Sequence, residues 1–192
     1  LAFIAPGMAL LFLMYTVSLG GRSILQERQD GTWQRVLTTP TSALELVGGK
    51  VFGIFLSGLA QVSVLVIGST LLFGLRWGDW RAIALLLVSA ALAATGWGLL
   101  FAAVSRDPGQ VASIGSAAML LFGLLSGAFV PVGAGIINIV SRITPNRWAL
   151  DAFLSLGGSG TLVDILPNIA ALWLMAGLLF ALSVVLFRRR AA

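Results

Sequence analysis

The sequence predicts an all-α, polytopic integral membrane protein with five transmembrane helices, and three observations carry that prediction. Apolar residues make up 58 % of the 192-residue chain and charged residues only 10 %, against ~25 % charged in an ordinary globular domain. The mean hydropathy is +1.01, and twelve basic with seven acidic side chains could not cover the surface of a soluble fold this apolar. Five runs, 1–20, 51–74, 82–104, 110–130 and 168–187, contain no Asp, Glu, Lys or Arg. Each is long enough to cross ~30 Å of hydrocarbon as a helix, and a helix satisfies its own backbone in lipid. Residues 1–192 are read as a single transmembrane domain.

Taken in order, run 1–20 could pass for a signal peptide. It lacks a basic leader, carries Pro6 and Gly7 early, and continues into an amphipathic stretch, so it reads as a true span. Segment 21–50 extends that helix to a break at Asp30-Gly31, follows it with a short helix over 32–38, and stops at Pro40. Ser42 and Glu45 then have the spacing of a capping box that opens the second span. The 75–81 link is a short hairpin whose Trp77 and Trp80 suit interfacial anchoring. Ser105-Arg106-Asp107-Pro108 is a tight turn, with Asp107 as N-cap and Pro108 at the first helical position. Segment 131–167 is long, yet 132–140 is nearly all apolar or Gly. Being too short to cross, it is expected to dip into the membrane and return.

Basic residues set the orientation. One side holds eight (Arg22, Arg28, Arg35, Lys50, Arg106 and Arg188 to Arg190), and the other holds Arg76, Arg81, Arg142 and Arg147. The eight belong inside, which makes the C-terminus cytoplasmic and places Leu1 outside. An N-terminus on the far side implies an earlier span, so the sequence is expected to be part of a longer chain. Eleven of the twelve basic residues are Arg, which with heavy Ala and Gly use fits a GC-rich bacterial gene and a bacterial cytoplasmic membrane.

Composition also limits the chemistry. Without Cys or His there is no thiol nucleophile, Ser-His pair or thiolate or imidazole metal site, and neither a catalytic residue nor a metal ligand is assigned. No Asp, Glu, Lys, Arg or His lies within the five runs, which argues against ion coupling there. Val47-Gly48-Gly49-Lys50 lacks the first Gly and the hydroxyl residue of a phosphate-binding loop. The basic residues flank apolar runs instead of forming a nucleic-acid patch. Arg188 to Arg190 read as an inner-leaflet stop, with membrane lipids as the partner.

The most informative stretch is ILQERQDGTWQRVLTTPTSALELVGGK, residues 24–50. Trp33, Val36 and Leu37 fall on one helical face, which fits either a helix lying on the membrane or one docked on a cytoplasmic partner. Glu27-Arg28-x-x-Gly31-Thr32-x-x-x-Val36-Leu37-x-Thr39-Pro40, followed by Glu45 and Lys50, resembles the permeases of ATP-binding-cassette (ABC) type-2 exporters. TPNRWALDAFLSL, residues 144–156, is similar to the segment before that family's last span, where short re-entrant helices lie outside.

The resemblance aligns this chain with the last five of six family spans. It implies that Glu27, Arg28, Gly31, Thr32, Trp33, Arg35 and Pro40 form the cytoplasmic coupling segment contacting a separate nucleotide-binding ATPase subunit. ATP and Mg would bind that partner, and no cofactor this chain. A second permease, identical or different, would complete a two-fold assembly with a substrate path between runs 1–20 and 110–130. Phe12, Tyr15, Met119 and Phe122 are the bulky side chains there, suited to an amphipathic cargo such as a drug, a lipid or a lipid-linked compound. They fit core or lipid-facing positions as well. Gln61 could meet cargo or clasp two helices.

Gly123-x-x-x-Gly127, with Ser113 and Ser116, allows close helix approach, either within the chain or across a dimer seam. Arg147 and Asp151 have i,i+4 spacing for an ion pair. The implied function is therefore a transport subunit without its own ATPase site. The rivals are a membrane-embedded enzyme, for which Asp151 and Asp164 lack a catalytic partner at motif spacing, and a non-transporting scaffold that recruits a cytoplasmic partner.

Overall fold

The computed structural model describes residues 4–36, 38–40, 42–129 and 136–191, and these are helical with short connections. Five helices are long and apolar enough to cross a membrane. They are α1 (Ile4–Gln29), α3 (Ala43–Phe73), α4 (Trp80–Val104), α5 (Pro108–Leu125) and α8 (Leu162–Ala191). Three short helices stand between them: α2 (Thr32–Val36), α6 (Ile136–Ser141) and α7 (Pro145–Gly157). The all-helical, five-span reading of the sequence agrees with this architecture.

Local chemistry explains most of the helix ends. At α3, Ser42 Oγ accepts from the Glu45 N–H while the Glu45 carboxylate accepts from the Ser42 N–H, closing the capping box. Its far end stops at Gly74, whose φ of +64° is a left-handed cap. Asp107 caps α5 through the Gln110 N–H at 2.9 Å, with Pro108 just inside the helix.

Four differences from the sequence reading have physical causes. Helix α5 ends at Leu125, because the chain turns through Ser126 and Gly127 (φ +84°). Helix α8 begins at Leu162, not near 168, because Thr161 N–H and Oγ1 both donate to the Asp164 carboxylate at 2.7 and 2.8 Å. Pro167 is absorbed into its second turn. The short helix read over 32–38 is described over Thr32–Val36 and has become a turn by Thr38, with the Thr38 and Thr39 hydroxyls donating to the Arg35 and Val36 carbonyls. Trp77 is no interfacial anchor. It is 5 % exposed and meets the Phe153 ring edge-on at 5.5 Å, while Trp80 stays exposed. The expected dip over 132–140 falls partly on 130–135, outside the described residues.

Helix α4 is the hub, packing against α1, α3, α5, α7 and α8. Lipid tails are as apolar as leucine, so close packing and interhelical polar contacts must hold such a bundle. Small residues make that possible. A Cβ on Gly98 of α4 would lie 2.5 Å from the Val17 carbonyl of α1, and one on Gly21 would lie 2.4 Å from the Gly98 carbonyl. The two backbones touch. Helix α8 adds a polar link to α4, Trp173 Nε1 donating to Ser89 Oγ at 2.9 Å. Helix α7 closes one end of the bundle, with Asn168 of α8 donating to the Trp148 carbonyl at 2.9 Å.

Candidate functional site

Helix α1 is enclosed on three sides. On the α5 side, a Cβ on Gly115 would fall 2.4 Å from that of Ser18, and one on Gly123 would fall 2.9 Å from Leu11. Gly123 therefore packs within this chain, Gly127 lies in the turn beyond α5, and Ser113 and Ser116 are exposed. On the α3 side, Gln61 reaches α1. With its amide oriented to satisfy it, Nε2 donates to Thr16 Oγ1 at 2.6 Å and to the Phe12 carbonyl at 3.2 Å.

What remains open on the membrane part of α1 is one stripe: Ile4, Met8, Phe12, Tyr15, Leu19, then Arg22 and Gln26. Its steps of three or four residues follow a single helical face. Phe12 and Tyr15 are 44 % and 41 % exposed. Of the four bulky residues named from sequence, these two share the open stripe. Met119 and Phe122 are half-buried, and Phe122 meets the Trp97 ring of α4 edge-on at 4.9 Å.

Toward the end of the bundle that carries α2, the α1–α3 seam widens into a groove of about 760 Å³. Leu19, Leu46 and Ile54 supply apolar wall, and Ser23, Glu45 and Lys50 supply polar rim. Gly49 and Gly53 leave it open, since a Cβ on either meets nothing within 4 Å. The groove was not foreseen from sequence, although three glycines within six residues at 48–53 were its signal.

The candidate coupling residues lie at that end. Lys50 Nζ pairs with Glu27 Oε1 in a half-buried contact, fastening the end of α1 to the start of α3. The intervening segment is bracketed by this pair. Arg28 lies over the Phe187 ring of α8, 5.5 Å from its centroid. Gly31, at φ +70°, turns the chain between α1 and α2. Thr32, Arg35 and Pro40 are exposed, while Trp33 contributes backbone to α2 and its side chain is outside the described set.

At the opposite end, Arg147 Nε lies 3.0 Å from Asp151 Oδ2, and Nη1 donates to the Ser126 carbonyl at 3.2 Å. Burial pushes the Asp151 carboxyl above the ordinary range, partly offset by Arg147 and Arg142. This pair joins α7 to the end of α5. Among the described residues, no group of three or more carboxylates could hold a metal.

A sequence pattern described as ABC-2 family transporter protein matches residues 1–185. The chain belongs to the ABC-2 transporter family. It is also 30 % identical over 180 residues, 92 % of its length, to the linearmycin resistance permease protein LnrN of Bacillus subtilis (strain 168). The match covers 47 % of that relative, so the chain spans about half the length of the curated protein it resembles. Family membership agrees with the resemblance read from 27–40 and 144–156, and it makes this a multi-pass membrane segment of a permease family.

Proposed function

We propose that this ABC-2 segment is the translocating part of an ATP-driven exporter whose cargo is amphipathic. A separate nucleotide-binding subunit would hold ATP and Mg, dock on α2 and its flanks, and drive two permeases between inward-open and outward-open arrangements. The observation that carries the reading is the open stripe of α1. Three sides of the helix are sealed against its own bundle, and the fourth shows Met8, Phe12, Tyr15 and Leu19 along the membrane. Facing its counterpart on a second permease, this stripe would wall a path of soft, apolar side chains ending in the polar Arg22 and Gln26. A relative named for resistance to a compound supports outward movement.

The test is transport by the full-length permease with its ATPase in sealed vesicles. ATP should drive uptake into inside-out vesicles, and collapsing the proton gradient at constant ATP should leave it intact. Transport that follows the gradient and ignores ATP would overturn the reading. Topology is checked separately by single cysteines in whole cells. Probes at Thr38 and Ala191 are expected to react only from the cytoplasm, and one at Gly158 only from outside.

The Glu27–Lys50 bracket gives a second expectation. A half-buried ion pair of this kind contributes on the order of 1 kcal/mol, so Glu27→Lys or Lys50→Glu alone should loosen the segment and lower cargo-stimulated ATP hydrolysis several-fold. The exchange of both charges should recover most of the loss. Failure of the exchange to recover coupling would mean that the two side chains act separately.

A further inference from the structure

We propose that the groove between α1 and α3 seats a membrane phospholipid whose headgroup carries a primary ammonium, as in phosphatidylethanolamine. Its volume of about 760 Å³ is roughly 25 times the ~30 Å³ share of one water molecule, enough for a headgroup and the upper part of an acyl chain. The order of side chains along the groove repeats the order of groups along such a lipid. The apolar span of α3 runs over Glu45–Phe73, so Glu45 stands at a membrane surface whichever side that is. Lys50 follows about 7.5 Å deeper, at ~1.5 Å of rise per residue, and Leu19 and Ile54 wall the part beyond it. In the lipid the ammonium is outermost, the phosphate next and the acyl chains deepest.

The polar groups of the groove select the head. Lys50 Nζ donates to Glu27 Oε1, and an ammonium has further N–H donors for a phosphate without leaving that partner. Both hydrogen bonds that the Glu45 carboxylate accepts from Ser42, from its N–H and its hydroxyl, fall on Oε2 at 2.8 Å. A carboxylate has about four acceptor positions, so Oε1 is left for an ammonium. Ser23 spends its hydroxyl proton on the Gly20 carbonyl at 2.8 Å. Two carboxylates, Glu27 and Glu45, against the one ammonium of Lys50 leave the rim negative. The other charges at this end do not line the groove: Arg22 lies on the open stripe of α1, Arg28 lies over the Phe187 ring, and Asp30 and Arg35 are exposed.

This rim separates the common headgroups. A glycerol head leaves the lipid a net anion, which the negative rim repels. A choline head has the positive charge but no N–H, so Oε1 of Glu45 gains no hydrogen bond from it. An ethanolamine head brings a charged donor, and charge-assisted hydrogen bonds are the strong ones. The apolar wall of Leu19, Leu46 and Ile54 takes the chain, and Gly49 and Gly53 give it room, since a Cβ on either meets open space. The site requires only that α3 crosses the membrane, and it does not rest on the proposed transport function.

The experiment is native mass spectrometry of the full-length permease released from nanodiscs of phosphatidylethanolamine, phosphatidylcholine and phosphatidylglycerol in equal amounts. The wild type should retain phosphatidylethanolamine ~10-fold over either of the others, the worth of one hydrogen bond to a charged group. Glu45→Gln should bring phosphatidylethanolamine level with phosphatidylcholine. Glutamine still closes a capping box, so this variant keeps the start of α3. Gly53→Leu puts a side chain into the groove and should lower retention of all three lipids. Asp164→Asn, an exposed cap at the other end of the bundle, should keep the wild-type preference. Equal retention by the wild type, preference for phosphatidylglycerol, or an ethanolamine preference that survives Glu45→Gln or Gly53→Leu would overturn the proposal. So would displacement of the lipid by millimolar glycerophosphoethanolamine, which would make the site one for the soluble head alone.

Discussion

Replacing Gly98 by valine is expected to be the most damaging single change in the membrane region. The position faces backbone, which cannot rotate out of the way. A Cβ there would sit 2.5 Å from the Val17 carbonyl and 3.0 Å from its carbon. Helix α1 would have to move off α4, and the contacts of Gly21 with the Gly98 carbonyl would go with it. Overpacking of a filled core costs about 1–3 kcal/mol. That is a large share of the roughly 5–15 kcal/mol that holds a typical domain together. Thermal unfolding of the purified full-length permease in detergent should show a clearly lowered midpoint for Gly98→Ala and little folded material for Gly98→Val. Gly53 is the contrast, on a helix of the same membrane. A Cβ there meets nothing within 4 Å, and alanine is a better helix former than glycine by about 1 kcal/mol, so Gly53→Ala should be neutral or stabilising. Equal effects at the two positions would refute the α1–α4 contact.

These two glycines also show what a sequence can and cannot disclose about this fold. The spans are legible because the bilayer imposes one rule, about twenty apolar residues without charge, and five runs obey it. Caps are legible because their chemistry is local: Ser42 with Glu45, and Asp107 with Pro108, name their own partners within three residues. The Thr161 and Asp164 pair is equally local, and it could have placed the start of α8 correctly. Tertiary partners are another matter. Nothing near Gly98 distinguishes it from Gly53, since the deciding neighbour is the Val17 carbonyl on another helix. Trp77 looked like an interfacial anchor because its burial depends on Phe153, 76 positions away. In the same way, Phe12 and Phe122 carry identical side chains in adjacent helices. Only the packing tells that Phe12 lies on the open stripe and that Phe122 turns toward Trp97. The coupling role proposed for the segment around α2 rests on the family pattern alone, since a partner surface leaves no local signature in these residues.

Trp33→Ala is expected to abolish cargo-stimulated ATP hydrolysis while leaving the permease folded and inserted. Helix α2 has five residues, far fewer than the ~12–15 an isolated helix needs in water. Its ends are prepared: Gly31 turns the chain in, and the Thr38 and Thr39 hydroxyls cover the last carbonyls. Preparation of this kind sets a shape but adds little stability, so the helix needs a surface to rest on. On lipid, Trp33 would supply the anchoring and Arg35 would only attract anionic headgroups. On an ATPase groove, Trp33 and Val36 would fill the groove, with Glu27, Arg28 and Arg35 at its rim. A buried interfacial tryptophan commonly costs ~2 kcal/mol or more on truncation, while rim charges matter less and mainly at low salt. The alanine variant should therefore bind the ATPase ~30-fold more weakly, and Arg35→Glu should lose less, with the loss growing as salt is lowered. Adding Gly31→Pro to Trp33→Ala should make matters no worse, because both changes disable one docking element. The measurement is co-purification of the ATPase with each variant, followed by hydrolysis with and without cargo. Full coupling in Trp33→Ala would show that α2 lies on the membrane surface and takes no part in driving transport.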